Sequence, residues 1–142
     1  MKEIKIKKYV RYFFGISVLL FVLNKLYLRS WILDHDFSGI TLLITKSIPN
    51  LLEAVMGTLL LTGILLQINQ SFLRKNIKIK PIFMHCLAVI LTAGYVISQE
   101  LKFHNLGGNN VYDINDLMAS LIGLVSTFTI IRLFGFVDEN EI

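Results

Sequence analysis

The run NVYDINDLMASLIG, residues 110–123, sets Asp113 and Asp116 three residues apart just before a long apolar stretch. Carboxylates at that spacing can cap the first turn of a helix, hold a hard cation or exchange protons. One acid suffices for one cap, which leaves the second available for other work. Glu53 interrupts another apolar run, Glu100 closes a third, and His104 follows in a loop rich in Gly and Asn. An ionisable side chain within an apolar run is a functional candidate by default in a membrane, and a loop histidine can serve as acid, base or ligand. The ligand- or ion-binding candidates are therefore Glu53, Glu100, His104, Asp113 and Asp116. Plainer roles stand beside each: pairing with Lys46 for Glu53, a water boundary for Glu100, solvation for His104 and helix capping for the aspartates.

Other chemistries find no support. There is no GxSxG elbow, phosphate-binding Walker loop, HExxH or CxxC, so an enzyme would need an acid-centred mechanism. The single cysteine, Cys86, excludes an internal disulfide and a cysteine-based zinc site, and its apolar surroundings suit a small buried hydrophobe. No cofactor and no metal site are expected.

The elements that position these residues are read from composition. The 142 residues are 54% hydrophobic and 17% charged, with a mean hydropathy of +0.64. That is too apolar for a soluble domain of this size. Four apolar segments, at about 9–28, 49–68, 81–99 and 117–136, each hold enough residues to cross the roughly 30 Å hydrocarbon layer as a helix. They lack the polar/apolar alternation of barrel strands. The expected fold class is an all-α integral membrane protein, a single domain over residues 1–142 with four transmembrane helices. Pro49 and Pro81 are read as first-turn residues. Joining the apolar stretch before Pro49 to the second helix would give about 30 residues, roughly 45 Å, so that stretch is expected to lie along the outer interface.

Charge sets the orientation. Lys2, Lys5, Lys7, Lys8 and Arg11 precede the first segment, Arg74, Lys75, Lys78 and Lys80 fill the second loop, and Arg132 closes the last segment. Basic residues favour the cytoplasmic side, so both termini are expected inside, in the bacterial cytoplasmic (inner) membrane as a multi-pass protein. With no recognition motif, the formal net charge of +4 does not argue for nucleic acid. The segment LYLRSWILD after the first span offers no small-residue cleavage site, so that span is expected to be retained. Tyr27 and Trp31 are expected at the outer interface, and Tyr9, Phe134 and Phe136 at the inner one. This topology brings Glu53, Glu100, Asp113 and Asp116 toward one outer level. His85 would start the third helix on the opposite side, about 22 Å from Glu100, in a structural role. Gly94 and Ser98, and Ala119 and Gly123, have the small-xxx-small spacing of closely approaching helices, which predicts contact between the third and fourth. Ser120 would be an interhelical hydrogen-bonding group.

SQELKF followed by YDINDLMASLIG resembles the closing half of VanZ-like membrane proteins, small bacterial integral membrane proteins. In them a glutamate ends one span and an Asp-x-x-Asp-x-x-x-Asn-x-x-Gly pattern opens the next. Asp113, Asp116 and Gly123 fit that pattern and Glu100 fits the upstream acid, with Ser120 in place of the asparagine. The resemblance implies a cell-envelope protein of a family linked to glycopeptide antibiotic resistance. The leading expectation is a non-enzymatic protein with an outward-facing acidic site for a cationic headgroup, an ion or a basic partner, within the lipid bilayer. The alternatives are a membrane-embedded enzyme acting on an envelope lipid or cell-wall precursor, with His104 or a carboxylate as base, and a small proton-coupled transporter subunit using Glu53.

Overall fold

A computed structural model describes residues 4–35, 39–71, 79–100 and 113–138, the side chain of Glu100 excepted. The described chain is helical: α1 Lys8–Leu23, a π-helical turn Asn24–Leu28, α2 Arg29–Asp34, α3 Ile40–Ser71, α4 Pro81–Glu100 and α5 Ile114–Phe134. α1, the π turn and α2 run on as one 27-residue helix, giving four helices long and apolar enough to cross a membrane. Among the described residues there is no strand, only the isolated antiparallel bridge between Ile6 and Val137.

Helix starts follow local chemistry. Asp113, in extended conformation, accepts the N–H of Asn115 and caps α5. Pro81 opens α4 where its missing N–H has no partner to lose. Pro49 does not open a helix as its sequence context predicts; it lies inside the 32-residue α3. It cannot donate to the carbonyl one turn earlier. The helix continues because α5 holds both flanks, with Ser47 bonded to Asp116 and the Asn50 carbonyl accepting from Ser120. Packed neighbours of this kind make proline tolerable inside membrane helices. The apolar stretch expected along the interface is thus the first part of α3, and its residues 40–46 extend about 10 Å beyond the level of Ser47. The first span likewise runs past residue 28 to Asp34.

α3 is the central helix and packs most extensively on α5, then on α4 and α1. Its matched contacts with α5 ascend together: Ser47 with Asp116, Asn50 with Ser120, and Leu51 and Ala54 with Gly123. α3 and α5 therefore run parallel, as the second and fourth of four alternating spans must. Buried apolar residues Val10, Val55, Leu59, Leu66, Met84, Ile131 and Phe136 form one core cluster, and Ala54, Val96 and Leu124 a second. Between them lies a layer of buried threonines. Thr58, Thr92 and Thr127 each donate to the carbonyl four residues earlier, at 2.8, 2.8 and 2.7 Å. Satisfying the hydroxyl within its own helix lets these short side chains serve as packing groups. Large apolar residues such as Ile16, Leu19, Ile90, Ile122 and Val125 face outward. This surface suits lipid, because soluble proteins rarely expose apolar patches so extensive.

The small-residue interface differs from the expected one. A Cβ added at Gly123 would lie 2.5 Å from the Leu51 carbonyl oxygen, so that glycine sets the approach of α3 and α5. Gly94, expected at the contact of the third and fourth spans, is exposed with nothing within 4 Å of that position. Among the described residues Ser98 bonds within α4, to the Tyr95 carbonyl. α4 packs on α5 as expected, but without Gly94, and it also meets α3, where Thr92 covers Gly57. Hydropathy could not reveal this, since a small residue looks the same on a packed and on a lipid-facing side.

Candidate functional site

At the end of the bundle where α5 begins, the two aspartates take different parts. Asp113 Oδ1 accepts from the Asn115 backbone N–H at 2.9 Å and from the Asn115 side chain at 2.7 Å. Its carboxylate is committed to the cap. Asp116, one turn on, accepts the Ser47 hydroxyl at 2.8 Å from α3, across 69 residues of sequence. Hydrogen bonds to an ionised acceptor are the stronger kind, and this one fixes the Asp116 rotamer against the packed α3–α5 pair. Asp116 is half-buried. Ser47 holds Oδ1 and leaves Oδ2 able to meet a ligand.

Glu53 is placed elsewhere. It lies six residues after Ser47, hence about 9 Å further along α3 and rotated about 240° around it. Its electrostatic neighbour is Lys25 in the π-helical turn of the first span, not Lys46. The single level expected for the acids therefore does not include Glu53. Lys25 also stands over the Phe21 ring, 5.3 Å from its centroid. Beside it Asn24 is 1% exposed, and neither atom of its amide has a hydrogen-bond partner among the described residues. π turns recur at functional sites in helices, and Asn24, seven residues after the buried Ser17, continues the buried face of α1 into this one. The side chain of Glu100, and His104 altogether, lie outside the described residues. Among the described residues no three of His, Cys, Asp and Glu converge as metal ligands would.

The opposite end of the bundle carries a feature not expected from the residue pattern. Residues 4–7 pair with the segment after α5: Lys7 N–H donates to the Phe136 carbonyl at 3.1 Å and Asp138 N–H to that of Lys5 at 3.2 Å. Lys7 Nζ and the Tyr9 hydroxyl donate to the Phe134 and Gly135 carbonyls. Gly135, at φ +71°, turns the chain out of α5. Phe136 is thereby 3% exposed in the core, not at the interface where an aromatic belt would put it, while Phe134 stays outward against Tyr9. Under this strap lies a cavity of about 610 Å³ lined by Leu66, Lys80, His85, Ile131, Arg132 and Phe136, among others. Asn69 braces its rim by bonding both the N–H and the carbonyl of Ile79. His85 is 8% exposed and its Nε2 has no partner among the described residues.

Comparison with models of protein families, with curated proteins and with solved structures gives no match to this chain. The reading of function therefore rests on these two ends of the bundle.

Proposed function

We propose that this chain is a VanZ-like, non-enzymatic membrane protein of the bacterial cytoplasmic membrane, whose outward acidic site at the start of α5 binds a cationic headgroup, an ion or a basic partner. The observation that carries this reading is the Ser47–Asp116 hydrogen bond. It presents a carboxylate from a packed two-helix platform, so little rotamer entropy is lost when a cation binds. Asp113 adds negative charge one turn away, and Glu100 and His104 are the remaining members proposed from the sequence. Glu53, with Lys25 as its electrostatic neighbour, belongs to the joint between the first span and α3 and not to the ligand shell.

The outward assignment draws on charge. Lys5, Lys7, Lys8, Arg11, Lys80 and Arg132 gather at the strap end, whereas the α5 start holds Asp113 and Asp116. The excess of basic residues there supports a cytoplasmic strap end by the positive-inside rule. In a Cys86→Ser background, a membrane-impermeant thiol reagent added outside should label I114C and leave K80C untouched. The reverse pattern would invert the topology and end this reading. In the native host, Asp116→Asn should fail to complement a deletion, with glycopeptide susceptibility as one readout, while membrane levels stay unchanged. A D113N/D116N chain that complements as well as wild type rejects the acidic site.

A further inference from the structure

We propose that the cavity beneath the strap is a binding site for an anionic phospholipid, taking the phosphate between Lys80 and Arg132 and the upper acyl chain along its apolar wall. Four features meet there. Among the described residues, the formally charged ones lining the cavity are both cationic, Lys80 and Arg132, and no Asp or Glu lines it. The first turn of the 20-residue α4 contributes Ile82 to the lining, and a helix N-terminus presents the positive end of its dipole to a phosphate. His85, more than nine-tenths buried, lines the same cavity with its Nε2 unpartnered. A buried polar atom without a partner is destabilising, and a bound polar group at this site would offset that cost.

The remaining wall separates a lipid from a small anion. Leu66, Ile131 and Phe136 offer an apolar surface that inorganic phosphate cannot use, and about 610 Å³ is within the range of cavities that hold molecules much larger than phosphate. Tyr9 and Phe134, stacked edge to face at the same end, mark the headgroup level where such a lipid would lie. Basic pockets between spanning helices are suited to anionic headgroups. The binding of a cation at the far end of the bundle plays no part in this site.

The test uses the full chain in detergent, titrated with phosphatidylglycerol or phosphatidylcholine of identical acyl chains, with bound lipid counted by native mass spectrometry. Phosphatidylglycerol should be retained at least fivefold more tightly. Lys80→Gln and Arg132→Gln should each weaken it by about fivefold, the worth of one basic residue near a membrane surface, and weaken phosphatidylcholine, whose choline offsets the phosphate charge, by less. Arg11→Gln, an exposed basic residue outside the lining, should have no effect. Equal retention of the two lipids overturns the proposal, as does an R11Q loss matching that of R132Q, which would mean diffuse surface attraction. Displacement of phosphatidylglycerol by millimolar inorganic phosphate would overturn the lipid assignment in favour of a small-anion site. Because wild-type selectivity is read without any variant, a misfolded variant cannot hide a negative result.

Discussion

Asp113 and Asp116 are three positions apart and chemically identical, yet the fold gives them different tasks. The cap consumes one, and a serine on another helix orients the other. Removing that serine tests the platform: Ser47→Ala should destabilise the protein by about 1–3 kcal/mol, as expected for a hydrogen bond to a charged group. Thermal unfolding in detergent would measure this, and an unchanged midpoint would show the bond to be incidental. Asn24 poses the opposite case, a buried amide with no hydrogen-bond partner among the described residues. Asn24→Val should stabilise by about 1–2 kcal/mol through removing an unsatisfied polar group, read as a higher melting temperature. The aspartates were legible because helix-start chemistry is local. Ser47 and Lys25 were not, since their partners lie on other spans.

Among the elements, α3 departs most from its sequence reading. A proline ahead of an apolar run ordinarily signals a first turn, but whether it does so depends on what holds the residues on either side. Here α5 holds them. The same helix pair approaches closely at Gly123, because even one methyl group there meets the Leu51 carbonyl. Gly123→Ala should cost about 1–3 kcal/mol by overpacking, whereas Gly94→Ala, with open space around it, should be neutral. Comparing their melting temperatures checks this directly. Equal effects would mean that the contact of α3 and α5 is looser than described.

For the whole molecule, the strap decides how the bundle is closed. Ile6 and Val137 face each other between the hydrogen bonds from Lys7 to Phe136 and from Asp138 to Lys5, the non-hydrogen-bonded type of antiparallel pair. In that arrangement the two Cα atoms approach to about 4.5 Å, within disulfide reach. I6C/V137C in a Cys86→Ser background should therefore cross-link on mild oxidation, giving a faster-migrating band under non-reducing conditions. Failure to cross-link would separate the two ends of the chain and open the cavity they cover.

The sequence by itself determined that the chain has four helices long and apolar enough to cross a membrane and that Asp113 and Asp116 open the last of them. Segment length, apolar composition and capping are properties of contiguous residues set against the thickness of a bilayer. The partners were decided only by tertiary structure: Asp116 with Ser47, Glu53 with Lys25, Gly123 with α3 instead of α4, and Lys80 beside Arg132 around one cavity. Each depends on how far one helix is rotated and shifted against another, and that register is set by the packing of the whole bundle, which no single segment encodes.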